Sequence, residues 1–278
     1  MTKPSPEVGE LATMIAAARQ AGTLLMGHFR GPARAALQVS LKGPADFVST
    51  ADLESERPLR DTLLGAYPGY GFVGEERAAT VASGPARFIV DPLDGTTNYL
   101  HSIPHFAVSI ALERSGRLVA GVVFDPAKDE MFVGEADRGA RLGGEPLHVS
   151  RETDMRMAVI GTGIPHGNRP ERHEAYLAAL GRVMHESAGV RRLAAAALDL
   201  AYVAAGRLDA FFEEGLSAWD IAAGTLLVRE AGGRATDPAG SDDVLASGNV
   251  LATNGRIHAR LQELLLGAAA GGAAKPAR

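Results

Sequence analysis

The sequence predicts a mixed α/β fold built in layers, and three observations carry that prediction. An apolar stripe at helical spacing opens the chain, short branched and aromatic segments fill its middle, and helix-like and strand-like segments alternate through its second half. At 278 residues the length lies between one large domain and two. No internal repeat and no Gly/Ser- or Pro-rich linker divides it, so a single domain over 1–278 is expected. Residues 1–6 and the low-complexity stretch 267–278 are expected to be flexible tails.

The elements follow in order. Residues 7–30 put Leu11, Met14, Ile15, Ala18, Leu25, Met26 and Phe29 on one helical face. A second helix is expected from Asp52, whose carboxylate can cap it. It would turn Leu53, Leu59, Leu63 and Leu64 toward a core, with Pro58 bending or shortening it. Phe88, Ile89 and Val90 read as a buried strand that ends at Asp91-Pro92 in a turn. Residues 106–112, 118–124 and 131–134 read as an antiparallel meander, broken by turns at Ser115-Gly116 and Asp125-Pro126. Beyond them, 171–186, 198–205 and 220–231 read as helices, and 210–213 and 250–253 as strands.

Composition narrows the function. With 46% hydrophobic and 22% charged residues the chain can bury a sizeable core. A net charge of -5 with scattered arginines leaves no footprint for nucleic acid, which is not an expected partner. The absence of cysteine removes disulfides, thiolate metal sites and a cysteine nucleophile, and fits a reducing cytoplasm. The N-terminal residues lack the apolar core of a signal peptide and no apolar run has the length of a membrane span. A soluble cytoplasmic protein with no membrane partner is the expectation.

The most informative stretch is Asp91-Pro92-Leu93-Asp94-Gly95-Thr96-Thr97-Asn98. Pro92 holds Asp91 extended and Gly95 permits a tight turn, so the two carboxylates can converge, and hard oxygen ligands of this kind suit Mg²⁺. If the threonines open a helix, its free N–H groups attract phosphate to the same point. Taken alone, Asp94-Gly95 is ordinary turn chemistry. Other ways of handling phosphate find no support here. A haloacid-type site wants aspartates two apart, a cysteine phosphatase needs cysteine, and no phosphate loop, zinc-site motif or nucleophile elbow is present. His101 and His105 are four apart, but Pro104 spoils a helical zinc pair, and both read as ordinary polar residues.

The octet resembles the signature of the inositol monophosphatase family, within the lithium-sensitive, magnesium-dependent phosphatases. Three further segments match in family order: Ala45 to Asp52 with Lys42 before it, Gly74-Glu75-Glu76, and Trp219-Asp220 through Gly233. The resemblance implies an α/β sandwich of alternating helical and sheet layers, with a site where the two halves meet. It implies two or three Mg²⁺ ions, with Glu75, Asp91, Asp94, Asp220 and the Leu93 carbonyl as ligands. Asp52, Glu75 and Thr96 are implied to be catalytic, Thr96 orienting the attacking water while bonded to Asp52. Asp94, Gly95, Thr96, Thr97, Ala195, Glu213 and Asp220 are implied to contact substrate. The implied reaction is hydrolysis of a small phosphate monoester, above all myo-inositol monophosphate, by a lithium-sensitive homodimer.

Within the fold, a broad sugar phosphatase that also takes fructose 1,6-bisphosphate is the alternative. A binding partner in transcription or RNA processing is the alternative of another class, and a damaged site would mark it. The resemblance is weakest at Arg192 to Ala197, where many members carry Gly-Ser-Ala-Ala or Gly-Thr-Ala-Ala. If the four carboxylates cluster as the resemblance implies, they need cations, since a close pair repels by roughly 4 kcal/mol at an effective dielectric of about 20.

Overall fold

A computed structural model of the chain describes residues 9–31, 39–43, 46–77, 79–81, 83–164 and 170–267. Residues 1–6, Ala45 and all of 267–278 except Gly267 lie outside the described residues, as do the side chains of Lys42 and 46–49.

Helix α1 (Glu10–Arg30) buries Met14, Ala18, Leu25 and Phe29, the stripe read from the sequence. A hairpin of β1 (Val39–Gly43) and β2 (Asp46–Ser49) leads to α2 (Thr50–Ala66). This helix starts two residues before Asp52, which therefore sits in its first turn and is not its cap. Asp52, Ser55, Glu56, Leu59 and Leu63 form its buried face. Leu53, one step of about 100° off that face, is 40% exposed, contrary to expectation. Pro58 does not end the helix. It frees the carbonyl four residues back, at Glu54, on the exposed side where water can bond to it.

A seven-stranded sheet follows, in spatial order β3 (Gly71–Gly74), β4 (Ala86–Asp94), β5 (Ala107–Arg114), β6 (Arg117–Asp125), β7 (Glu130–Glu135), β8 (Gly139–Leu142) and β9 (Glu145–Pro146). In this sheet β3 and β4 pair in parallel; β5, β6 and β7 form the expected antiparallel meander, which β4 on one side and β8 and β9 on the other extend. Ser115 and Gly116 both adopt positive φ between Arg114 and its partner Arg117, a two-residue turn whose twist matches the strands. Strand β4 does not stop at Asp91-Pro92 but continues to Asp94. Pro92 is tolerated because β3 pairs with β4 only as far as Val90.

The second sheet has the order β11 (Gly189–Arg191), β10 (Val159–Thr162), β12 (Ala210–Glu213), β14 (Val250–Thr253), β13 (Arg234–Thr236). The remaining helices are α3 (Thr96–Leu100), α4 (Pro170–Glu186), α5 (Ala196–Ala204), α6 (Ala218–Glu230), α7 (Val244–Ser247) and α8 (His258–Leu266). Helices α1 and α2 cover one face of the large sheet. Helices α5 and α6 fill the space between the sheets, and α4 and α8 close the far face of the small one. The result is an α/β sandwich of alternating helical and sheet layers. Among the described residues no helix is long and apolar enough to cross a membrane.

Candidate active site

Strand β4 delivers the first two acids. In a regular strand, residues three apart face opposite sides. Here Asp91 pairs with Ser109 and Asp94 with Ala107, so three steps on β4 oppose two on β5. That bulge turns both carboxylates into one cavity. Gly95 follows at φ 89°, a left-handed conformation that glycine adopts freely. A Cβ there would also press on the backbone carbonyls of His105 at 3.1 Å and Ala194 at 3.3 Å.

Around this corner other elements close in. Thr96 and Thr97 open α3, Glu75 lies in the bend just after β3, Glu213 ends β12, and Asp220 stands in the first turn of α6. With Leu93 they line one cavity of about 370 Å³. Asp52 is buried behind its wall and reaches it through Thr96, whose hydroxyl is 3.0 Å from Asp52 Oδ1 and 3.1 Å from the Leu93 carbonyl oxygen. Ala195 departs from the sequence reading: it is buried and packs toward Gly95, while Ala194 and Ala196 line the cavity. Ala194 holds φ 67°, a conformation costing a side chain about 1 kcal/mol or more. The Asn98 amide braces that turn, donating to the carbonyls of His105 (2.9 Å) and Leu193 (2.7 Å).

Each aspartate of the cavity has one carboxylate oxygen fixed by a backbone N–H. Asp91 Oδ1 accepts from Leu93 at 2.9 Å, Asp94 Oδ2 from Ala197 at 2.8 Å, and Asp220 Oδ2 from Ser217 at 2.7 Å. Ala195 has no side chain able to cap α5, so Asp94 satisfies that helix start from another element. Asp220 and Ser217 close a capping box on α6. Asp94 and Asp220 are thus oriented by the same helix starts whose N–H groups and dipoles favour an anion, while Asp91 is held within β4 by the Leu93 N–H.

Burial and mutual repulsion dominate the electrostatics. Burial raises Asp91 well above the usual carboxylate range, with Glu75, Asp94 and Asp220 adding to it. Burial also pushes Asp94 up to about 7, against the pull of the Ala197 N–H, and raises Asp220, with Asp94 as its strongest charged neighbour. Glu213 is pushed up to about 8, again by burial first and Asp94 second, while Arg192 opposes the shift. Among the described residues no three acids already close on one point as a finished metal cage. The donor set nevertheless fits Mg²⁺: it is all hard oxygen, it is oriented from behind, and its charges repel unless a cation joins them.

Sequence reasoning missed Gly163 and Arg192, both on the cavity wall. A Cβ on Gly163 would lie 1.8 Å from Glu213 Cδ, so the carboxyl rests directly on that glycine. No local motif announces a contact made between two strands distant in sequence. Trp219 packs on the core between the sheets and also lines the cavity. Burial pushes His105 down to about 4, which leaves its imidazole neutral near pH 7.

The layered fold and this acid-lined cavity, met by three helix starts, define a phosphoric monoester hydrolase. The chain belongs to the inositol monophosphatase family, whose model matches residues 9–270. It is 53% identical over 230 residues to the inositol-1-monophosphatase of Rhizobium meliloti, covering 82% of this chain and 86% of that one. It is 44% identical over 243 residues to the Nus factor SuhB of Pseudomonas aeruginosa, covering 86% and 89%. The crystal structure of the extragenic suppressor protein suhB from Bartonella henselae superposes with a TM-score of 0.89 at 46% identity, covering 93% of this chain and 98% of that one.

Proposed function

We propose that this chain hydrolyses a small phosphate monoester in a Mg²⁺-dependent reaction, with myo-inositol monophosphate as the leading substrate. One observation carries the reading: Glu75, Asp91, Asp94, Asp220 and Leu93 line a single cavity into which α3, α5 and α6 begin. Glu75, Asp91 and the Leu93 carbonyl would hold one Mg²⁺, and Asp91, Asp94 and Asp220 a second. When bound there, Mg²⁺ would offset the charge of the phosphate and of the leaving oxygen and make water more acidic.

The chain's own groups do the rest. The Thr96 hydroxyl has one proton; when it donates to Asp52, its lone pairs face the cavity and can accept a bond from a water lined up on the phosphorus. Asp52 then anchors that relay from behind the wall and can receive a proton passed through Thr96. The N–H groups at Gly95 and Thr96 bind phosphate oxygens. Glu213, seated on Gly163, accepts a bond from a substrate hydroxyl, and Asp94, Thr97 and Asp220 flank the same space.

Relatives named inositol-1-monophosphatase favour the inositol ester. The alanines at 194–197 favour a wider substrate range, since no hydroxyl is offered there. Lithium sensitivity, a homodimer and a cytoplasmic location belong to the same proposal. A role in transcription alongside catalysis is favoured by the relatives named Nus factor. The test is phosphate release from myo-inositol 1-phosphate, fructose 1,6-bisphosphate and adenosine 3′,5′-bisphosphate, each with Mg²⁺ or EDTA. Selective Mg²⁺-dependent release from the first supports the inositol reading, and comparable rates on all three replace it with a broad phosphatase. No release from any of them removes it.

A further inference from the structure

Glu56 lies one helical turn beyond Asp52 on the buried face of α2, fully withdrawn from solvent. Its Oε2 accepts the backbone N–H of Glu76 at 2.9 Å. The same oxygen lies flat on Gly74, where a Cβ would stand 2.5 Å away. Among the described residues its Oε1 has no hydrogen-bond partner, and it faces the Arg77 guanidinium, with Nε at 3.6 Å. These contacts fall on both sides of Glu75, which has left the β3 ladder and stands in a bend.

Among the described residues Glu75 is the acid of the cavity that lies outside any helix or strand, and Asp91 repels it. A loop carrying a carboxylate toward like charges must be held from behind. A buried carboxylate is a poor choice for stability alone, because its desolvation costs several kcal/mol that an apolar side chain would not incur. We propose that Glu56 is a positioning residue which, through the Glu76 N–H and Arg77, sets the reach of Glu75 toward Mg²⁺. Asp52 on the same helical face holds Thr96. Helix α2 therefore fixes the spacing between the Glu75 carboxylate and the Thr96 hydroxyl. The inference rests on the reading of the cavity as a Mg²⁺ site.

The experiment is calorimetric titration of Mg²⁺ into the chelator-treated full chain, for wild type, Glu56→Gln and Arg77→Met, with thermal unfolding and steady-state kinetics on the same samples. Glu56→Gln keeps an acceptor for the Glu76 N–H and removes the charge that faces Arg77. It is expected to weaken Mg²⁺ binding about ten-fold, with the KM for the ester at saturating Mg²⁺ unchanged. Arg77→Met should weaken binding in the same direction, by about three-fold or more. A lowered melting temperature with wild-type Mg²⁺ affinity would make Glu56 merely structural and overturn the proposal. If Glu56→Gln does not fold, the half-exposed Arg77 decides alone, and unchanged affinity in Arg77→Met overturns it. Wild-type protein that binds no Mg²⁺ would sink the reading of the cavity and this inference together; binding in wild type that both variants retain sinks only the inference.

Discussion

Replacing Gly163 with alanine puts the role of Glu213 to a quantitative test. The new Cβ would lie 1.8 Å from Glu213 Cδ and 1.9 Å and 2.0 Å from its two oxygens. The backbone at this point is fixed, because Thr162 pairs with Phe212 on β12 and its hydroxyl donates to the Phe212 carbonyl at 2.9 Å. The carboxyl must therefore give way. Regaining a contact of about 3.5 Å requires a retreat of roughly 1.7 Å, which takes a substrate hydrogen bond of about 2.8 Å beyond reach. With Glu213 pushed up to about 8, its carboxyl is largely neutral near pH 7, and a neutral hydrogen bond contributes about 0.5–1.5 kcal/mol, so kcat/KM should fall about two- to ten-fold. The assay compares myo-inositol 1-phosphate with p-nitrophenyl phosphate, which has no hydroxyls for Glu213 to bind. The loss should appear on the first ester only. An equal fall on both, or none on either, would refute the assignment of Glu213 to substrate hydroxyls.

Further consequences concern metal, pH and stability. Folding raises Asp91, Asp94 and Asp220, so their contribution to stability is full below the ordinary carboxylate range and is lost as pH rises through about 7 for Asp94. Mg²⁺ binds the ionised acids and removes that loss, so the gain in melting temperature on adding Mg²⁺ in place of EDTA should grow from pH 6.5 to 8.5. A gain independent of pH would contradict it. His105 and His258, both pushed down to about 4, act in the opposite sense and only as pH falls below about 6.5, outside that window. Away from the site, Arg114 donates to the fully buried Glu10 at 2.6 Å. Arg114→Met should cost about 3–5 kcal/mol in urea unfolding, and adding Glu10→Gln should restore part of it; a loss below about 1 kcal/mol would mean that Tyr70, which also donates to Glu10, suffices.

What the sequence made legible was whatever its local pattern determines. Strands β12 and β14 fall on the residues read for them, and α4, α5 and α6 differ by two residues or fewer at each end, because apolar periodicity and flanking turns mark them. The octet could be placed beside Glu75 and Asp220 only through resemblance, since nothing local brings those segments together. Strands β11 and β13 are three residues long, too short for a period to show, and β10 carries Gly161 in its interior, which weakens a strand signal. The β4 bulge was hidden because Asp91-Pro92 reads locally as a turn, whereas pairing with β5 carries the strand on to Asp94. Asp52 read as a cap because capping and a buried tertiary bond to Thr96 ask for the same side chain. Gly163 and Glu56 act across strand and loop contacts that no spacing in the sequence encodes.

The most direct test of the central claim is phosphate release from myo-inositol 1-phosphate by chelator-treated protein as Mg²⁺ is returned, for wild type and Asp91→Asn. Asp91 is shared by both proposed metal positions. Wild type should be silent in EDTA and recover with Mg²⁺, while Asp91→Asn should remain folded and inactive at every Mg²⁺ concentration. Release that persists in EDTA, or that Asp91→Asn retains, would contradict the assignment of this cavity to Mg²⁺-dependent hydrolysis.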